Sequence, residues 1–233
     1  MASQVPLVAT GSAAAAAAAA GPQEALPFAA ELSVREYADR DGPAVCAIWT
    51  AGLSQTGEAA GCLMRPLFDC MLGRMAAKAT AADGDIGPSG ANIAAHWGAA
   101  GSTMADRRMF VAEIAGEVVG CCGVKLGLKE GGPELPLPTP AERASGADIH
   151  SSVWRVSVSD RARRRGVGQA LMDASEAWAA QQAGANRMLL VTGNSIASRF
   201  YCDRCGYRKT SACEKPHGPW HTKELPREMA QAD

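Results

Sequence analysis

The sequence predicts a mixed α/β sheet flanked by helices. Three observations predict it. Segments with strand-like alternation and segments with helical periodicity succeed one another along the chain. One strand candidate, "RMLLVT" (187–192), is continuously apolar, as in strands buried on both faces. No internal repeat divides the 233 residues, which suffice for one good-sized domain or two small ones. With 47% hydrophobic and 20% charged residues, most of the chain is expected to fold around a core.

Residues 1–31 read as a disordered, low-complexity tail with an alanine run from Ala13 to Ala20. A weak cleaved segment is the alternative reading. The first basic residue is Arg35, whereas secretory and transit peptides need cations near their start. Structure should begin at Leu32. "LSVREY" reads as a strand and "DRDGPAVCAIWTAGL" as a helix burying Val45, Ile48, Trp49, Gly52 and Leu53 on one face. Gln55 to Met104 is helical in places but broken by "GDIGPSG".

"RMFVAEIAGEVVGCCGV" then reads as a hairpin turning at Ala115-Gly116. "KEGGPELPLPTPAERASG" is a proline- and glycine-rich loop. "VWRVSV" is a strand, and a helix follows from Val167 to about Gln182, with Val167, Ala170, Leu171, Ala174 and Trp178 on one face. After "RMLLVT", "SIASRFYCDRC" reads as a short helix with Ser195 as N-cap and Gly206 as its stop. "YRKTSACEK" and "PWHTKELP" suit a hairpin turning at "PHG", and 227–233 is a C-terminal tail.

A net charge of −1 supplies no overall electrostatic drive toward nucleic acid or membrane. The most apolar long window, Gly61 to Ala77, carries Arg65, Asp69 and Arg74 and does not read as a span. Eight irregularly spaced cysteines argue against a disulfide scaffold and for a reducing, cytoplasmic setting. The apolar neighbours of Cys121 and Cys122 suit buried free thiols.

The densest cationic text is "RVSVSDRARRRGVGQALM", from Arg155 to Met172. Glycines at 166 and 168 let backbone amides approach a ligand without a Cβ in the way. The first amides of the following helix have no intrahelical partner and carry a positive dipole. With the arginines they suit a phosphate or pyrophosphate. The plainer reading is an ordinary turn with solvated arginines. An RNA-contact patch is a third, but it lacks interleaved aromatics and a basic face.

Arg163-x-x-Gly166-x-Gly168, preceded by Val156 and Val158 on a strand and followed by Leu171 on a helix, resembles the acetyl-CoA signature of the GNAT superfamily of N-acetyltransferases. "MFVAEIAGEVVGCCGV" is similar to that family's second and third strands, and "GNSIASRFYCDRCGYRK" to its later helix and following strand. The phrases "SVSDRARRRGVG" and "REYADRDGPAV" look most like the camello-like branch, although that branch's membrane hairpin has no apolar counterpart here. The resemblance covers Leu32 to Pro226 and implies one domain over 32–226, a GNAT acyl-CoA N-acyltransferase fold with splayed fourth and fifth strands.

The resemblance also implies acetyl-CoA as co-substrate and direct attack of a primary amine on its thioester. Open backbone groups of Val156 and Val158 would bond the pantetheine. Arg163, Arg164, Arg165, Gly166, Val167 and Gly168 would wrap the pyrophosphate, and Arg161 would reach the 3′-phosphate or stay in solvent. Tyr201 would be the acid for the leaving thiolate, and Asn194 would help position the cofactor.

Two departures stand out. Tyr201 lies five residues before Gly206, where the family spaces four; counting from Gly206 puts Cys202 in the acid position. A one-residue shift turns a helical side chain by about 100°, so the two cannot both face the thioester. The asparagine end of the helix favours Tyr201, with a bulge downstream absorbing the extra residue. Ser152 stands where relatives often carry a carboxylate, which leaves the base unassigned, with Asp148 and His150 as neighbours.

Cys202, Cys205, Cys213, His217 and His221 have a zinc-like composition, but a helix already explains the first pair, and no metal is expected. The acceptor stays open among small amines, cysteine conjugates, lysine side chains and protein N-termini. A catalytically idle acyl-CoA-binding domain is the alternative function.

Overall fold

The computed structural model describes residues 31–56, 74, 77–82, 84, 86–126, 141, 149–192, 194–210 and 220–226. The expected tails, most of the proline-rich loop, Asp148, Cys213 and His217 lie outside them. Strand β1 (Leu32–Glu36) leads through a 3₁₀ turn (Asp39–Asp41) into α1 (Gly42–Thr56). Then come α2 (Ile93–Trp97), β2 (Arg107–Ile114), β3 (Glu117–Leu126), β4 (His150–Val158) and α3 (Val167–Ala183). β5 (Arg187–Val191), α4 (Ser195–Asp203), β6 (Arg208–Lys209) and β7 (Trp220–Glu224) complete the order.

The strands form one mixed sheet in the order β1-β2-β3-β4-β5-β7-β6. Every neighbouring pair is antiparallel except β4 and β5, which run parallel. The β2–β3 hairpin turns at Ala115 and Gly116, as expected. Both residues are left-handed, with φ of 53° and 76°, as the tight turn favoured by strand twist requires.

Each face of the sheet carries its own apolar layer. On one face, α3 buries Val167, Leu171, Met172 and Trp178 against Ala112, Ile114, Cys122 and Val124. Gly120 on β3 allows the close seating: a Cβ there would stand 2.9 Å from Val167 Cγ1 and 3.0 Å from Leu171 Cδ1. The buried surface of α3 is wider than the predicted stripe. It takes in Ser175, Glu176, Ala179 and Ala180, while Ala170 and Ala174 are only half-buried. The reason is that α3 meets β7 as well as the sheet face, with Glu176 bonded to Lys223 at 2.5 Å.

The opposite layer gathers Val45 and Trp49 of α1 with Tyr37, Ile93, Trp97, Met109, Val111 and Cys121. Ile48 is buried as expected and Gly52 is half-buried; the side chain of Leu53 lies outside the described residues. No described helix is long and apolar enough to cross a membrane.

Three expected details change. β4 begins at His150, so His150 is a strand residue paired with Arg187 and not part of a loop. β5 is not buried on both faces: Met188 and Leu190 are buried while Leu189 and Val191 are half-exposed. Only the first pair joins the core beneath α3. The N-cap of α4 is Asn194, not Ser195, because the asparagine Oδ1 accepts from the amides of Ile196 and Ala197 at 2.8 and 3.3 Å.

An ion pair anchors the entry to α1. Arg35 donates to both carboxylate oxygens of Asp41, at 2.6 and 2.8 Å, and to Glu113 at 2.5 Å. Burial alone would raise the Asp41 carboxyl, but the Arg35 guanidinium and the Ala38 amide outweigh it and hold it below its ordinary value. A depressed carboxyl stabilises the fold above its unfolded-state pKa of about 3.9 and loses that contribution as pH falls through the folded value. Asp41→Asn should therefore cost about 1–3 kcal/mol at pH 7, discounted because Arg35 is partly exposed, with the gap to wild type closing below about pH 4. Denaturant melts at pH 7 and pH 3 measure both effects.

The free thiols of Cys121 and Cys122 are buried, and burial pushes both up to about 12. Thiolate is the reactive form, so neither should alkylate in the native protein at pH 8, whereas half-buried Cys46 and Cys202 should. Peptide mapping after brief iodoacetamide treatment checks this.

Candidate functional site

β4 and β5 stay paired only through His150–Arg187, Ser151–Met188 and Ser152–Leu189. Beyond that point, among the described residues, β5 pairs solely with β7, through His221 and Trp220, and residues 153–158 of β4 have no strand on that side. The two strands splay, as expected. On its other side β4 stays bonded to β3, and the Ser159 amide donates to the Val119 carbonyl at 2.9 Å. Antiparallel residues alternate the direction of their polar groups. Ser157 therefore serves β3, while the amides and carbonyls of Val156 and Val158 turn into the gap.

One residue earlier lies a feature that no sequence pattern announces. The register slips between Cys121 and Gly123 on β3, and Arg155 has a φ of 55°. This is a β-bulge, with an extra residue on β4. It brings Trp154 and Arg155 to the α1 side of the sheet together. The Arg155 guanidinium lies 4.4 Å from the Trp49 ring centre. On the same face Lys125 Nζ stands 5.6 Å from Trp154, 4.6 Å from Trp97 and 3.1 Å from His96 Nε2. Strict alternation in "VWRVSV" hides the bulge, and only a left-handed arginine reveals it.

At the end of β4 a 3₁₀ turn (Asp160–Ala162) and the arginine run lead into α3. Gly166 is its N-cap at φ 81°, a conformation that disfavours any Cβ, and as glycine it makes no side-chain capping bond. The amides of the first turn are thus left open to a ligand. Arg163 pairs with Asp160 at 3.0 Å with both side chains about half exposed, Arg164 is exposed, and Arg165 is half-buried. Arg161 pairs with Glu117 at the β2–β3 turn. Gly168 has a second role: a Cβ there would stand 3.1 Å from Phe200 Cζ, so glycine also lets α4 lie against α3.

On α4, Tyr201 is buried with its ring 5.2 Å from Phe200, 6.0 Å from Tyr207 and 6.3 Å from His221. Burial, with the thiols of Cys122 and Cys205 nearby, raises its hydroxyl above the usual tyrosine range. The end of α4 departs from a regular helix. The Phe200 carbonyl accepts from Arg204 at 3.0 Å and from Cys205 at 3.3 Å, so the last turn widens to an i+5 bond. Tyr201 follows the Asn194 cap by seven residues, and Cys202 is half-buried.

Ser152 is buried and accepts from Trp154 Nε1 at 2.8 Å. His221, fully buried, bonds Ser198 at 2.8 Å, and Cys205 points to Gln169. Among the described residues, no group of three or more His, Cys, Asp or Glu is placed to hold a metal.

The acetyltransferase (GNAT) family profile matches residues 89–207, just over half of the 233-residue chain. Solved structures share the fold at low identity. A GNAT-family acetyltransferase from Staphylococcus aureus Mu50 aligns with a TM-score of 0.51 at 11% identity, over 84% of this chain and all of its own. The PaiA N-acetyltransferase of Thermoplasma acidophilum, solved with coenzyme A, gives 0.51 at 10% identity, over 84% and 99%. The GNAT domain of S. lividans PAT gives 0.51 at 18%, over 82% and 89%. No curated protein matches the chain in sequence.

Proposed function

Because the chain belongs to the acetyltransferase (GNAT) family, we propose that it transfers the acetyl group of acetyl-CoA to the nitrogen of a primary amine. The observation that carries this reading is the splayed parallel pair opening beside an uncapped helix start rich in arginine. A pantetheine arm lies in the gap as an extra strand, bonded by Val156 and Val158. The pyrophosphate sits on the first-turn amides of α3, with Gly166, Val167 and Gly168 giving backbone approach and Arg163, Arg164 and Arg165 supplying charge. A coenzyme A complex of the PaiA relative supports the ligand class.

In the reaction the neutral amine attacks the thioester carbonyl, forming a C–N bond and a tetrahedral oxyanion. The C–S bond then breaks and the nitrogen loses a proton to water. Tyr201 donates its proton to the departing thiolate, and its raised hydroxyl keeps that proton in place at neutral pH. Asn194 acts by capping α4 and fixing where Tyr201 starts its turn. Within the family we place the chain nearest the camello-like branch, on the phrases around its arginine run.

The second reading is an idle acyl-CoA-binding domain. Ser152, occupied by Trp154 where relatives often carry a base, favours it. Release of coenzyme A thiol on adding amines to enzyme and acetyl-CoA, with mass detection of the acetylated amine, decides between them. Transfer is expected. Tight acetyl-CoA binding without amine-dependent release would establish the idle domain.

A further inference from the structure

We propose that the hydrogen bond between Ser198 and His221 aims Tyr201, which makes these two residues positioning residues for the acid step. This rests on the reading of Tyr201 as the acid and deepens it. His221 is fully buried on β7, where it pairs with Leu190 of β5 and Lys209 of β6. Leu190 lies past Ser152–Leu189, the last described pair between β4 and β5. His221 therefore belongs to the wall on the far side of the open gap. Its Nε2 stands 2.8 Å from Ser198 Oγ on α4.

Ser198 and Tyr201 are three residues apart on one helix, so their side chains share a face and move together. That face looks at the sheet, with the Tyr201 ring 6.3 Å from His221 and 6.0 Å from Tyr207. A buried imidazole is costly in an apolar layer unless polar partners meet it, and Ser198 is one such partner. Apolar contacts press α4 against the sheet but are non-directional. A hydrogen bond is directional, and one placed a turn before Tyr201 sets the rotation of α4 about its own axis.

The lever is long. A tyrosine hydroxyl stands roughly 8 Å from the axis of its helix, so a rotation of about 10° carries it through roughly 1.4 Å. A misplacement of about 1 Å can cost about 10²-fold where reacting groups must be aligned. Asn194 caps the start of α4, and the link to β7 sets its angle relative to the strands on one side of the gap. Ser198 and His221 thus act through the phenol and not on the thioester.

The test is a double-mutant cycle on the full chain, with acetyl-CoA and the primary amine that gives the fastest release of coenzyme A thiol. Ser198→Ala should lower kcat roughly 10-fold, within the loss expected from removing the Tyr201 hydroxyl itself, and leave the KM for acetyl-CoA unchanged. In a Tyr201→Phe background the same change should cost nothing further, because no hydroxyl is left to aim. An equal loss in both backgrounds is what a merely structural bond gives, and it overturns the proposal. So does an undiminished kcat in Ser198→Ala alone.

A second arm needs no turnover. Biosynthetic 3-fluorotyrosine labels Tyr37, Tyr201 and Tyr207, the three tyrosines of the chain. In protein loaded with coenzyme A, Ser198→Ala should shift or broaden the fluorine resonance of Tyr201. The resonance of Tyr37, in the apolar layer on the other face of the sheet, should stay in place. That pattern upholds the aiming of Tyr201 even if no amine is acetylated and the acetyl-transfer reading falls. An unmoved Tyr201 resonance, or a Tyr37 resonance that moves as far, overturns the proposal even in an active acetyltransferase.

Discussion

Gly168→Asp is expected to lower acetyl-CoA affinity by about 100-fold or more. The carboxylate would sit on the first turn of α3, where it repels the pyrophosphate and competes for the same open amides. Its Cβ would also stand 3.1 Å from Phe200 Cζ, so α4 must give by a few tenths of an ångström. Gly168→Ala separates the two causes. It meets Phe200 in the same way but brings no charge, so it should keep most of the affinity while sharing any loss of thermal stability. Calorimetric titration of both variants, alongside their melting curves, measures the split. Unchanged affinity in a folded Gly168→Asp protein would remove the pyrophosphate from this turn.

Tyr201→Phe should lower kcat by roughly 10²-fold and leave acetyl-CoA binding intact, because the ring keeps its contacts with Phe200, Tyr207 and His221. Coenzyme A thiolate is already a tolerable leaving group, which places the effect at the low end of acid catalysis. Cys202→Ala should cost little. On the reading that the register of α4 runs from its Asn194 cap, Tyr201 and not Cys202 takes the acid position, and the widened turn lies after Phe200. A crippled Cys202→Ala beside a near-normal Tyr201→Phe would reverse that assignment. Stopped thiol-release assays at saturating acetyl-CoA give the comparison.

Much of this arrangement is legible in the letters because it depends on local chemistry. Alternating valines, an arginine run, and glycines before a helical stripe each act within a few residues. They led to the end of β4 at Val158 and to α3 from Val167, while the start of β4, read at Val153, lies three residues earlier at His150. Features that depend on distant contacts were not legible. Burial of Leu189 is limited by what covers β5, and the second role of Gly168 comes from Phe200, far along the chain. The bulge at Arg155 is the clearest case. Arginine has no preference for left-handed backbone, so no sequence signal marks it, and its Trp49 neighbour becomes visible only once β4 is bent. The N-cap shows a smaller slip: asparagine and serine both cap well, and only the bonds from Ile196 and Ala197 distinguish them.

The central claim is that an acyl-CoA arm completes the sheet edge left open by β4. Amide hydrogen exchange, followed residue by residue with and without acetyl-CoA, reads this directly. The amides of Val156, Val158, Val167 and Gly168 should slow on binding, while those of the β2–β3 hairpin, already paired, should not change. Saturable acetyl-CoA binding that leaves Val156 and Val158 exchanging as in the free protein would contradict it.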